Sequence, residues 1–193
     1  MIAALKNRIV LALVIVALAQ TGVLAAMVVD RVRLLKTGRE ITLPIVPVDP
    51  RDLFRGQYVR LGYDISRVPA RLLEGPLPRP NAVFYVVLEK TPDGAWKPVK
   101  LTRTPMQETS PERIVLKARA FHGRLYTGTS PDAVHFVRYG IESYFVPEGT
   151  GKALEKMVGE KRIKAGVAVC RDGTAALKGL KVDGQLVHKE PVI

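Results

Sequence analysis

Two carboxylates and two guanidinium groups crowd the segment Val48-Asp49-Pro50-Arg51-Asp52-Leu53-Phe54-Arg55-Gly56. Paired carboxylates can divide acid and base roles when their surroundings push their pKa values apart. Asp49 and Asp52, with Glu148 further along the chain, are therefore the groups through which a hydrolase would act, with Arg51, Arg55 or Lys152 as nearby cations. The same four side chains at 49–55 also suit a local ion-pair network. Asp49-Pro50-Arg51 starts a turn, because Pro50 fixes φ and the Asp49 carboxylate can accept a hydrogen bond from the backbone ahead. A helical turn over 51–54 would end at Gly56, and a strand would follow.

Elsewhere the chain offers no complete catalytic set. His122, His135 and His188 lie in strand-like runs without the close spacing of a helical zinc motif, and they read as ordinary side chains. Cys170, in the apolar run KAGVAVCRDG, reads as a small packing residue and not as a nucleophile. As the only cysteine it excludes an intrachain disulfide and a multi-cysteine metal site. No nucleophile elbow, P-loop or dinucleotide fingerprint is present. Gly149-Thr150-Gly151-Lys152 has the look of a phosphate cradle, but Val146 stands where the first P-loop glycine belongs. The segment reads instead as a helix start capped by Thr150. No catalytic residue, cofactor or metal follows from these patterns, and the balance leans away from an enzyme.

The elements that must position these residues begin with an anchor. Ile9 to Val29 is a 21-residue run without a charge. As a helix it is roughly 30 Å long, the thickness of a bilayer core. The small residues of Ala17-Leu18-Ala19 would suit signal cleavage, but the apolar run continues past them to Val29, which favours an uncleaved transmembrane helix. Lys6 and Arg8 face a larger basic cluster at Arg31, Arg33, Lys36 and Arg39. A short tail before an apolar run is the usual export layout, and long domains cross largely regardless of charge, so the C-terminal domain is expected outside the cytoplasm.

All 14 prolines lie from Pro44 onward, which predicts short strands joined by turns. Ile41 to Val48, broken by Pro44 and Pro47, reads as an edge strand, and Gln57 to Ile65 alternates with a period of two. Further strands are expected at Ala82 to Glu89, from Trp96, at Arg113 to His122, Val134 to Arg138, Ile141 to Val146, Lys164 to Arg171, Ala175 to Val182 and Gln185 to His188. One short helix is expected at Lys152 to Val158, and Gly38 is a candidate stop for any extension of the anchor. The predicted fold is mainly β with one short helix, a sandwich or a partly open barrel, plus the N-terminal transmembrane helix. The predicted boundaries are a tail at 1–8, the transmembrane helix at 9–29, a juxtamembrane linker at 30–40 and a β-rich domain at 41–193.

Gly56-Gln57-Tyr58-Val59-Arg60-Leu61-Gly62-Tyr63 resembles the motif of the GDYXXLXY proteins, a membrane-anchored family of uncharacterised function. It matches at Gly56, Tyr58, Leu61 and Tyr63 and departs at Gln57, where the motif has Asp. The lead-in VDPRDLFR and the later YFVPEGTGKALEK, containing Tyr144, Glu148 and Lys152, are similar to that family as well. The resemblance implies a bacterial, membrane-anchored, extracytoplasmic domain, and it supplies no activity. Gln57 cannot act as a general acid or base, so a structural role for the motif gains weight.

The formal charge of +12 lies almost wholly after Asp30. The basic residues are spread along the chain without an aromatic-interleaved motif, which argues against nucleic acid as a partner. The leading expectation is a single-pass protein of the bacterial inner membrane whose domain binds an envelope protein partner without catalysis. The alternatives are a binder of anionic lipid headgroups or cell-wall polymer through its basic surface, and an envelope hydrolase using Asp49, Asp52 or Glu148.

Overall fold

An uncharged run in lipid must satisfy every backbone polar group internally, and an α-helix does so. In the computed structural model, which describes residues 2–46, 58–73, 81–108, 110–121, 134–145, 163–182 and 184–189, that run is the centre of helix α1, Ile2–Thr37. One stretch of it, Asn7–Thr37, is long and apolar enough to cross a membrane. Among the described residues nothing packs on the uncharged run 9–29 itself: Leu13, Leu24 and Met27 are 64%, 63% and 65% exposed.

The helix does not stop where the apolar run stops. It continues through 30–37, and its last turn meets the β domain. There Leu34 is buried against Ala168 and Ala176, with Leu35 and Cys170 packed alongside. Gly38 ends the helix as expected, its N–H bonding the Leu34 carbonyl at 2.9 Å. A Cβ at this position would stand 2.5 Å from the Leu34 oxygen and 3.1 Å from the Ala168 Cβ, so only glycine lets the helix approach the sheet this closely.

Among the described residues twelve strands follow. A five-stranded antiparallel sheet runs β12 (Gln185–Lys189), β11 (Ala175–Val182), β10 (Ile163–Val169), β1 (Arg39–Val46), β3 (Gly62–Tyr63). A second runs β4 (Arg67–Pro69), β8 (Val134–Arg138), β7 (Arg113–Ala120), β5 (Val83–Lys90), β6 (Trp96–Thr102). A two-stranded ladder joins β2 (Tyr58–Arg60) to β9 (Ser143–Phe145). The fold is thus mainly β, and the two sheets do not close into a barrel.

One core lies between them. Leu43, Ile45, Val167 and Leu177 of the first sheet and Phe84, Val86, Leu88 and Leu116 of the second belong to a single buried cluster. Each such side chain contributes roughly 1.5–3 kcal/mol by leaving water. Two ties hold the sheets together at the end near α1. The Lys117 N–H donates to the Gly173 carbonyl at 2.8 Å, so the β10–β11 turn covers part of the β7 edge. Gly173 has φ +85°, and a Cβ there would sit 3.0 Å from the Lys117 nitrogen. The Arg39 guanidinium donates to the carbonyls of Ser110 and Arg113 at 2.8 and 2.7 Å, and also to that of Pro111. It lies 5.7 Å from the centre of the Trp96 ring.

Two expected strands differ. The one read as an edge strand is β1, which pairs with β10 from Arg39 to Pro44 and then also with β3 through Ile45 and Val46. Pro44 is tolerated because it sits before the second partner begins. The alternating run 57–65 is divided: β2 and β3 are separated at Leu61, and a 3-10 turn at Asp64–Ser66 follows. The helix expected at Lys152–Val158 lies outside the described residues.

Candidate functional site

The two blocks singled out by sequence meet. β2 and β9 pair antiparallel, Tyr58 with Phe145, Val59 with Tyr144 and Arg60 with Ser143. The ladder is extended by the Leu61 N–H, which donates to the Glu142 carbonyl at 2.8 Å.

Beyond Leu61 the chain changes partners. Gly62 and Tyr63 pair with Val46 and Ile45 of β1, and Arg67 to Pro69 then pair with Phe136 to Val134 of β8. Within the twelve residues from Tyr58 to Pro69 the chain is hydrogen-bonded to three ladders. Leu61 and Tyr63 share one side of the run, as their period of two predicts, and each is 2% exposed. Tyr144 is also 2% exposed and joins the same core.

Two phenol hydroxyls lock this crossing. The Tyr63 hydroxyl donates to the Ile141 carbonyl at 2.8 Å. The Tyr139 hydroxyl donates to the Ile65 carbonyl at 2.6 Å. Each tyrosine thus bonds the residue two places beyond the other, so segments 63–65 and 139–141 clasp each other reciprocally. Burial, reinforced by the nearby Glu142 carboxylate, pushes the Tyr139 phenol well above its usual range, and it stays a protonated donor. Glu142 also shapes the turn. Its two oxygens accept the N–H groups of Tyr139 and Gly140 at 2.6 and 2.9 Å, around a glycine with φ +82°.

Of the residues named from sequence, Leu61, Tyr63 and Tyr144 are therefore built into the core. Of Tyr58 the backbone pairing alone is described. Asp49, Arg51, Asp52, Arg55, Gly56, Glu148 and Lys152 lie outside the described residues. Sequence reasoning missed Tyr139 and Glu142, although Tyr139-Gly140-Ile141-Glu142 carries a turn glycine followed two residues later by a carboxylate able to cap it.

Among the described residues, Cys170 and His135 are quiet or isolated. Cys170 is half-buried, and burial, with Asp172 adding to it, raises its thiol pKa, so it is no thiolate at neutral pH. His135 is buried on the inner side of β8, its Nε2 without a hydrogen-bond partner among the described residues, and burial lowers its pKa. Among the described residues no three His, Cys, Asp or Glu side chains gather into a metal site. A crevice of about 90 Å³ between the sheets is lined mostly by apolar groups, with Tyr63, Ile65 and Trp96 in its wall and Asp64 and Lys97 beside them.

A family model described as GDYXXLXY protein matches residues 20–180. No curated protein and no solved structure matches the chain.

Proposed function

Starting from a chain that belongs to the GDYXXLXY family, as its match over residues 20–180 establishes, we propose that it is a single-pass membrane protein whose β domain serves as a non-catalytic binding or accessory module of the bacterial envelope. The observation that carries this reading is the contrast along α1. Its apolar length is open on every side, and it becomes buried only at Leu34, where it joins the sheet. A surface of that size and composition is stable in lipid and costly in water. The inner membrane and an extracytoplasmic position for the domain are part of this proposal, supported by the rule that long domains cross largely regardless of their charge.

In this reading the motif serves the scaffold of the module. Its Leu61 and Tyr63 fill the core, and the Tyr63 hydroxyl is committed to a backbone carbonyl. These residues therefore build the platform on which other surfaces act. The domain boundaries expected from sequence are carried into this proposal, with 9–29 as the span and 41–193 as the module.

Alkaline carbonate extraction of membranes carrying the full chain tests the anchor, and crosslinking in those membranes tests the module. Retention in the pellet and a discrete crosslinked partner are expected. Release into the supernatant would refute the anchor, and turnover of an envelope ester or peptide substrate abolished by Asp49→Asn or Asp52→Asn would refute the non-catalytic reading.

A further inference from the structure

The outer face of the second sheet is basic in a way the linear sequence conceals. Val68, Val137, Leu116, Ala118, Phe84 and Val86 point into the core. The residues that alternate with them form the opposite face. Register places Arg119 of β7 directly opposite Arg138 of β8, and Arg67 of β4 directly opposite Phe136 of β8. Lys117 lies two residues before Arg119 on the same face, roughly 7 Å away.

Like charges directly opposite on neighbouring strands are destabilising. Among the described residues no carboxylate pairs with Arg67, Arg119 or Arg138, whereas Arg113 on the same face is paired with Glu89 at 3.2 Å. Two of these cations, Arg138 and Arg67, lie beside aromatic rings. The Arg138 guanidinium lies 3.5 Å from the centre of the Phe121 ring, and Arg67 lies 6.0 Å from that of Phe136. A cation–π contact restrains a guanidinium through its carbon face, and its N–H groups can still meet an anion. Phe136 is itself 41% exposed and its strand neighbour Val134 37%, so the patch offers apolar contact between its charges.

We infer that this face docks an extended acidic segment of a partner protein, one whose carboxylates alternate with apolar side chains. The inference deepens the binding-module reading and rests on it. Arg and aromatic residues around an apolar centre are the composition of protein interfaces, and guanidinium forks match carboxylates in geometry as well as charge. The patch lies at the far end of β7 from Arg113, which meets Arg39 just beyond the anchor. Six strand residues put about 20 Å along the strand between that junction and Arg119, about two and a half times the screening length at physiological salt. Exposed Phe136 and Val134 set between the guanidinium groups offer apolar contact that a protein segment can use and a lipid headgroup cannot, so protein fits this face better.

The test uses the full chain in nanodiscs of zwitterionic lipid. The probe is a fluorescent synthetic peptide in which Glu and Phe alternate at every second position with Ser between them. Anisotropy titrations are compared for the parent, R119E, R138E, F136A and K164E, the last an exposed cation of the other sheet. Because R119E turns a like-charged cross-strand pair into an opposite one, its unfolding temperature should equal or exceed the parent's. Its peptide affinity and that of R138E should fall about tenfold or more, as expected for close interfacial charge pairs. F136A should weaken binding severalfold, and K164E should leave it within about twofold, as a charge outside the interface would. No binding, or equal weakening by K164E, overturns the inference. So does Arg119-dependent binding of phosphatidylglycerol vesicles or heparin in place of the peptide, which would make the face a lipid or polymer site. Any of these results leaves carbonate-resistant attachment by α1 untouched, and release by carbonate would leave peptide binding untouched, so the two readings fail separately.

Discussion

The reciprocal tyrosine clasp can be dissected by removing its two hydroxyls. In Tyr63→Phe the Ile141 carbonyl loses a donor at 2.8 Å, and in Tyr139→Phe the Ile65 carbonyl loses one at 2.6 Å. Both rings are buried, at 2% and 5% exposure, so water does not replace the lost partner freely. Leaving a buried carbonyl unsatisfied costs about 1–3 kcal/mol. In a domain of this size each kcal/mol is worth about 2–4 °C in Tm. Each variant should therefore melt several degrees below the parent. Because both bonds tie the same two segments, their effects should not add, and a double-mutant cycle should give a coupling of about 0.5 kcal/mol or more. The assay is urea or thermal unfolding of the full chain in one detergent, followed by tyrosine and tryptophan fluorescence. Two variants as stable as the parent within about 0.3 kcal/mol would refute the clasp. Unchanged stability together with loss of the crosslinked partner would move these hydroxyls from the scaffold to the binding surface.

Three further outcomes follow from the same physical picture. Gly38→Ala forces a Cβ into the Leu34 carbonyl and should loosen the helix–domain junction, costing about 1–3 kcal/mol and exposing 31–40 to protease; unchanged protection would show that the junction is not rigid. His135 titrates below its ordinary value in the folded domain because burial disfavours the imidazolium, so the unfolded chain binds more protons as pH falls. Its contribution is constant above about pH 6.5 and turns destabilising below it; the urea midpoint should drop from pH 7.5 to pH 5, and less so in His135→Leu. The Cys170 thiol, raised by burial and by Asp172, should react with a maleimide more slowly than a free cysteine at neutral pH and faster as pH rises; rapid labelling at pH 7 would overturn its reading as a packing residue.

What could be read before the fold was known is what local sequence controls. An uncharged 21-residue run declares a helix, and alternation declares the strands at Val134–Arg138 and Ala175–Val182, whose ends coincide with expectation. Pairing is another matter. β1 finds its main partner in β10, more than a hundred residues away, and no local pattern encodes that choice. Pro44 signalled an edge, and it was partly right: proline needs one free side for its own position, and the second partner begins at the next residue. The basic face was invisible for the same reason. Arg67, Arg119 and Arg138 are scattered in sequence, and only the register of β4, β8 and β7 gathers them.

The motif shows the same division more sharply. Its spacing foretold that Leu61 and Tyr63 share a buried side, since residues two apart in extended chain do so. It did not foretell that the strand would break at Leu61. The break has a physical reason: Leu61 gives its N–H to Glu142, whereas Gly62 and Tyr63 have turned to β1. A single straight strand could not pair with β9, β1 and β8 in turn, because those strands belong to three separate ladders. The motif is therefore a suture, crossing from the small ladder to one sheet and then to the other, and a suture needs residues that fill space and hold its bends. Leu61 and Tyr63 fill it. The hydroxyls of Tyr63 and Tyr139 hold the bends from opposite sides. On this account a substitution within the motif should first be felt as lost stability of the whole β domain, because the two sheets meet through it, and any loss of binding should follow that stability.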